Sequence, residues 1–461
     1  MLCPFPTIIA LVQATIKAGF AILESIKRLL SPKKLKILFI HNKYKQYGGE
    51  DAALELEASL LKEKGHHVQV LLFDNKKIEG LFSKIKIGRG AFYNINSGKK
   101  LETVIRQFKP DVIHIHNMFF IASPSLVFVA HRHKIPVILT LHNYRLICAN
   151  ATLLRNHEVC ELCIHKKLPL EGILHKCYRN SAIESALVTL ITGVHKIMNT
   201  WKDKITTYIA LNDFSRFKLL NSSLQIPASK MIVKSNFVND FGEGIHPREN
   251  FFLFAGRISK EKGVYVLAKA FADMPQHKII ILGSGPEMNA LKEEYKSYAN
   301  IIFKGQVDQK EVREHMKLCK ALICPSIWHE GTSLTIMEAF AAGTPVIASR
   351  PTNTLVSIND GFNGFNFIPG DPCDLQKKLR LFEIEVAKSK LIYKNARQVY
   401  LECYHPDIHY NAILKIYQKA IETKLSKGIN IMSGTFKFKN GIEQIMNRLI
   451  NFGQKLFSKT S

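Results

Sequence analysis

Residues 330–348 read Glu-Gly-Thr-Ser-Leu-Thr-Ile-Met-Glu-Ala-Phe-Ala-Ala-Gly-Thr-Pro-Val-Ile-Ala. Gly331-Thr332-Ser333 has loop character, a helix is expected to start near Ser333 or Leu334, and Pro345 to Ala348 is a short apolar run of strand type. Another apolar run, Ala321 to Cys324, precedes it. Strand, loop, helix and strand in that order are the grammar of a parallel sheet covered by helices.

Outward from this unit the grammar repeats. Upstream lie Phe251 onward (FFLFAGR), Lys278 to Leu282 (KIIIL) and Ile301 to Phe303. An earlier series runs from Lys36 to His41 (KILFIH), through Ala52 to Lys64 at helical period, to Val68–Phe73, Asp111–His116 (DVIHIH) and Pro136–Leu141. It breaks between Asn143 and Trp201 and resumes at Thr207–Leu211. The polar, glycine-bearing loop from Asn236 to Glu249 separates the two series. The expectation is an α/β protein with two doubly wound, Rossmann-like domains facing a cleft. Polar residues just after the strands are then the functional candidates.

The chain has 461 residues, 46% hydrophobic and 22% charged, enough for two cores and unlike a disordered chain or a disulfide-stapled miniprotein. A net charge of +26 implies an acidic partner: nucleic acid, an anionic membrane or phosphorylated small molecules. No nucleic-acid-binding motif is present, so nucleic acid is not expected as a partner. Cys148, Cys160, Cys163 and Cys177 form a Cys-x11-Cys-x2-Cys-x13-Cys series, whose central spacing suits two thiolates on one tetrahedral ion. A structural zinc is one reading; a disulfide pair or unlinked packing thiols are the others. A reducing, cytoplasmic location follows from the cysteine usage.

Both ends are basic and amphipathic. Thr7 to Leu30 is apolar but interrupted by Lys17, Glu24, Lys27 and Arg28, which argues against a membrane span and against a secretory signal. Ile442, Ile445, Met446, Leu449 and Ile450 recur at helical spacing near the other end. Such termini either pack on the core or lie at a membrane interface. The expected segments are 1–34, a basic amphipathic extension; 35–240, the first domain with its four-cysteine insertion at 148–177; 241–405, the second domain; 406–425, a helix packing back across the domains; and 426–461, a basic amphipathic tail.

The helix starting near Ser333 or Leu334 presents unpaired backbone N–H groups and a positive dipole end, an anion site. Glu330 precedes it and Glu338 lies on its next turns. Carboxylates suit sugar hydroxyls rather than phosphate, so the arrangement reads as a site for a ligand with both phosphate and polyol groups.

Four more segments accompany this one: Gly48-Gly49-Glu50 after the first strand, His142 after the Pro136 strand, Gly256-Arg-Ile-Ser-Lys-Glu-Lys-Gly263, and Gly283-Ser-Gly-Pro-Glu287. Together, over about residues 35–425, they resemble the retaining glycosyltransferases of family four, which have the GT-B fold and share a Glu-x7-Glu motif. The resemblance implies a nucleotide-sugar donor held mainly by the second domain. Arg257 and Lys262 would offset charge on the departing diphosphate, and Glu338 would accept from the ribose hydroxyls. Glu330 would accept from the sugar, Ser333 and Leu334 would supply backbone N–H groups, and Val307 would touch the base. Gly48 and Gly49 would let the backbone approach the donor diphosphate or the acceptor. His142 would stand near the transferring sugar, with His116 and Asn117 lining the acceptor side.

His142, Glu330, Arg257 and Lys262 are thus the expected catalytic set. Thr332-Ser333 stands where many relatives carry an aromatic residue and glycine. No Asp-x-Asp is present, and cationic side chains with a helix dipole can replace a diphosphate-bound metal, so no catalytic cofactor is expected. The implied function is transfer of a sugar to a glycan or lipid-linked acceptor, with retention, in cell-surface polysaccharide, lipopolysaccharide or glycolipid biosynthesis. The expected place is cytoplasmic, peripheral on the inner face of an anionic membrane. A related GT-B nucleotide-sugar epimerase, or a non-catalytic basic protein binding membrane or nucleic acid, is the alternative.

Overall fold

The computed structural model describes residues 34–43, 48–74, 93–156, 158–327, 333–350 and 358–435, with side chains to 424. The amphipathic N-terminal extension, Glu330 with its loop, and residues 436–461 of the tail lie outside the described residues.

The first sheet contains β1 (Lys36–Lys43), β2 (His67–Asp74), β3 (Val112–Ile115) and β4 (Val137–Leu141). A two-stranded ribbon, β5 (Leu154–Arg155) and β6 (Glu158–Val159), interrupts the series before β7 (Thr207–Ala210) and β8 (Met231–Val233) complete the sheet. Its order is β2-β1-β3-β4-β7-β8, and every pair is parallel. The second sheet contains β9 (Phe252–Ala255), β10 (Ile279–Leu282), β11 (Ile301–Gly305), β12 (Leu322–Cys324), β13 (Val346–Ser349) and β14 (Gly364–Phe367). Its order, β11-β10-β9-β12-β13-β14, is also parallel throughout. In each sheet the strand order reverses beside the first strand, next to β1 and next to β9. Crevices at the carboxyl ends of such strands are where open α/β sheets bind ligands.

The strands are apolar on both faces because helices cover both. Leu38 and Ile40 of β1 point into a core with Ile113, Ile115, Leu126 and Val137. Ile37 and Phe39, one residue out of step, point into the opposite core with Leu54, Leu61, Ile413 and Tyr417. The period of two is therefore read by two different layers. In the second domain Phe252 and Phe254 meet Leu267, Phe271, Leu375 and Phe382. Leu253 faces the other way, towards Ile336, Met337 and Phe340.

The chain crosses between the domains twice. After Val233 a linker leads to β9, and Asp240 within it is held by Arg397, with Nη2 2.6 Å from the carboxylate. The return is by helix Pro406–Thr435, which runs past residue 425, where the sequence reading ends it. Its Ile413, Ile416, Tyr417 and Ala420 lie on the first sheet.

A buried ion cluster fastens this helix. Glu57 lies 3.3 Å from Lys234 Nζ, 3.0 Å from His409 Nε2 and 3.1 Å from His114 Nδ1. Tyr417 donates its hydroxyl to Glu57 at 3.3 Å. Burial opposes ionisation of Glu57, but Lys234 and His114 overcome it and hold the carboxyl well below its usual pKa. Removing one member of such a group strands the others in a low dielectric. Among the described residues no helix is long and apolar enough to cross a membrane.

Candidate active site

In the second domain the carboxyl-end loops of four strands are stitched together. Gly256 N–H donates to Leu282 O at 3.0 Å, Gly283 N–H to Gly305 O at 2.7 Å, and Ile327 N–H to Glu261 O at 2.9 Å. Two glycines permit this. Gly283 has φ +128°, and a Cβ there would stand 1.9 Å from Gly256 O; Gly263 has φ +70°, and its Cβ would stand 1.8 Å from Pro325 O. The Gly-x-Gly and Gly-Arg-Ile-Ser-Lys-Glu-Lys-Gly segments are thus halves of one platform. It carries Arg257, exposed, and Lys262, half-buried.

Ser333 is the N-cap of helix Leu334–Ala341, in extended backbone and with no side-chain cap bond. Among the described residues no side chain caps the first backbone N–H groups of that helix, which suits them to an anion. Glu338 follows one turn on. Burial pushes its carboxyl up to about 7, against the pull of Arg313 and a hydrogen bond from Gln309. Val307 and Leu334 both pack against the apolar cluster around Ile336 and Phe340.

In the first domain Gly48 caps helix Gly49–Glu63 just beyond β1. A Cβ at Gly48 or Gly49 would meet nothing within 4 Å, so nothing in the described chain itself demands glycine there. Asn143 Nδ2 donates to Glu50 Oε1 at 2.6 Å, which joins the Gly48-Gly49-Glu50 segment to the loop carrying His142.

His142 Nε2 lies 2.9 Å from His116 Nδ1. Burial drives His142 down to about 3 and His116 well below its ordinary value, with His114 adding to the effect on His116. Both rings are neutral at physiological pH, so one proton bridges them. His116 Nε2 is buried without a hydrogen-bond partner among the described residues. An orphaned acceptor is tolerated better than an orphaned N–H. His116 therefore donates from Nδ1, His142 accepts at Nε2, and His142 keeps its own proton on Nδ1.

His116 and Asn117, expected on the acceptor side, are both buried. His116 is buried and acts on its neighbour His142. Asn117 braces the backbone, its Nδ2 donating to Asn42 O and its Oδ1 accepting from Phe119 N–H, each at 3.0 Å.

Cys148, Cys160, Cys163 and Cys177 are unpaired thiols. Burial, reinforced by Cys148, Cys177 and Cys160, pushes Cys163 up to about 12. No three of the four sulfurs come within 4.8 Å of one another, whereas Glu57, His114 and His116 do bring ligand atoms that close. The neighbouring Lys234 ammonium makes that trio a poor cation site.

Sequence reasoning missed Asp51, which accepts from Gly48 N–H at 3.0 Å and lies 2.9 Å from His41 Nε2. An acid in the first turn, after Gly-Gly-Glu, was the available signal. It also missed the Gln309 and Arg313 neighbours of Glu338, which come from a helix with no motif.

The family model for glycosyl transferases group 1 matches residues 236–399, and that for Glycosyltransferase Family 4 matches residues 48–160. Together they cover more than half of the chain. The alpha-monoglucosyldiacylglycerol synthase of Streptococcus pneumoniae is 27% identical over 332 residues, spanning 68% of this chain and 70% of that protein. The phosphatidyl-myo-inositol mannosyltransferase of Mycobacterium tuberculosis is 28% identical over 216 residues, 45% of this chain and 56% of that protein. In fold, the chain is similar to Anabaena HepE crystallised with UDP and glucose, with a TM-score of 0.58 and 17% identity over 83% of this chain and 99% of that one.

Proposed function

The chain belongs to the family-four glycosyltransferases of GT-B architecture, and from that premise we propose that it transfers a hexosyl group from a nucleotide sugar to a lipid-linked or glycan acceptor at an anionic membrane surface. The observation that carries this reading is the platform in the second domain. There the Arg257–Gly263 segment is tied to Pro325 and Ile327 through Gly263 and Glu261, and Glu338 lies one turn into the helix that starts at Leu334.

The diphosphate binds at the helix start and the two cations, which offset its growing charge as it departs. No metal is required for that role. Glu338 accepts from the ribose hydroxyls, and Glu330 from the sugar. His142, its Nε2 occupied by His116, presents Nδ1–H as a neutral donor to the transferring sugar. The acceptor oxygen attacks the anomeric carbon on the face the diphosphate leaves, the carbon–oxygen bond to the diphosphate breaks, and the acceptor proton passes to the departing oxygen. Retention follows from that geometry. The lipid acceptors in the names of the synthase and mannosyltransferase relatives support glycolipid or surface-polysaccharide assembly.

A thermal-shift screen over UDP-, GDP-, ADP- and TDP-sugars, followed by product analysis with lipid acceptors, tests the proposal. A donor at 100 times its dissociation constant adds about 2.7 kcal/mol of stability. Stabilisation by no nucleotide, together with no transfer from any donor, would overturn it.

A further inference from the structure

Helix Ala182–Ile197, in the insertion between β4 and β7, carries apolar side chains on its outer face as well as on its buried one. Its buried face mixes Ser185, Thr189, Thr192, His195 and Lys196 with Val188 and Ile191. Its outer face carries Ile183, Leu187, Leu190, Val194 and Ile197, at the i, i+4, i+7, i+11, i+14 spacing of one helical stripe. Ile183 is 73% exposed, Ile197 58%, and Met198 just beyond the helix 57%. On the neighbouring turn Glu171–Leu174, Leu174 is 76% exposed. The stripe is about 20 Å long at 1.5 Å per residue.

The helix cannot roll to hide it. Lys196 Nζ donates to Lys166 O at 3.2 Å, His195 Nδ1 lies 3.0 Å from Thr200 Oγ1, and Trp201 Nε1 donates to Thr192 O at 3.3 Å. Gly193 lies so close to the segment beneath that a Cβ would stand 2.6 Å from Leu168 Cδ1. Rotation would break these bonds and drive side chains into that contact.

The surroundings name the occupant. Lys166, Lys167, Lys176 and Arg179 are exposed next to the helix, against two acids, Glu171 and Glu184, that pair with Lys166 and Arg179. Lys167 and Lys176 leave the rim net positive. A second copy would bring an identical positive rim against it and be repelled. An anionic leaflet would accept the aliphatic stripe and attract the cations together.

We propose that the outer face of helix Ala182–Ile197 is the surface by which this protein lies on an anionic bilayer, turning its first domain towards lipid-linked acceptors. This rests on the membrane-surface reading above and adds the contact face. The test uses the full chain and two kinds of vesicle, phosphatidylcholine alone and phosphatidylcholine mixed with phosphatidylglycerol. Wild type should sediment with the mixed vesicles. The triple variant Ile183→Ser, Leu190→Ser, Ile197→Ser should lose at least about tenfold in binding, since three exposed aliphatic anchors are removed. Lys167→Glu with Lys176→Glu should weaken binding to the anionic vesicles alone. Donor hydrolysis should be unchanged in both, because none of these residues belongs to the site.

If the triple variant binds as wild type does, the face is wrong while the membrane reading stands. If wild type binds neither vesicle, the membrane reading itself falls. A wild-type dimer that the triple variant converts to monomer would assign the stripe to a copy-to-copy interface and overturn the proposal.

Discussion

Replacing Glu338 by glutamine tests the donor site through its protons. The carboxyl titrates at about 7 where 4.5 is ordinary, because burial outweighs Arg313 and Gln309. A shift of that size corresponds to about 3 kcal/mol at 1.36 kcal/mol per unit, and partial exposure of the side chain trims it to about 1–2 kcal/mol. Between pH 4.5 and about 7 the folded protein holds a proton that the unfolded chain has shed. The stabilisation is therefore complete below pH 4.5 and lost as pH rises to about 7. Glu338→Gln should flatten that part of the stability curve in chemical denaturation. Nucleoside diphosphate, whose ribose hydroxyls need the ionised carboxylate, should bind wild type about tenfold more weakly at pH 6 than at pH 8 beyond any slope from its own phosphate. The variant shares the phosphate slope and should lack the extra term in calorimetric titrations. Identical pH slopes in the two proteins would refute the assignment of Glu338 to the ribose.

Arg257→Ala or Lys262→Ala should lower turnover by about 100-fold, the usual loss when a charge-stabilising donor is removed; wild-type kinetics in both would exclude them from the diphosphate site. His142→Ala should lower kcat while leaving nucleoside diphosphate affinity within a few-fold, and His116→Ala should lower kcat and shift the His142 tautomer read by nitrogen NMR. An unchanged His142 tautomer would remove His116 from a positioning role. Glu57→Gln should cost about 3–5 kcal/mol in chemical denaturation because it leaves Lys234 buried without its carboxylate, and a loss near zero would show that the cluster does not fasten the C-terminal helix. Protein purified without chelator should show titratable thiols at Cys148, Cys160, Cys163 and Cys177 and no bound zinc, because no three of these sulfurs come within 4.8 Å of one another; about one zinc per chain would show that they close on an ion.

The alternation of strands and helices, the two domains and the start of the Ser333 helix were legible because each is local. Runs such as KILFIH must be covered on both faces, and only a parallel, doubly wound sheet does that. Arg257 and His142 stand out in the sequence because each follows a strand end, and Glu338 because of its spacing from Glu330. Short edge strands were not legible: β8 and β14 are three and four residues long, too brief to show a period. Nor was the reach of the C-terminal helix beyond residue 425, since amphipathic spacing does not say where a helix stops.

Partnership was decided only in three dimensions. His116 and His142 are 26 positions apart, and Glu57 and His409 352 apart, so no local pattern could pair them. Their neutral rings and buried charges follow from desolvation, which depends on what the folded chain places around each group rather than on its neighbours in sequence. The same holds for helix Ala182–Ile197. Its composition is apolar enough to read as a core helix, yet of its aliphatic side chains only Val188 and Ile191 are buried, while the close contact at Gly193 and the buried Lys196 hold Ile183, Leu190 and Ile197 outward.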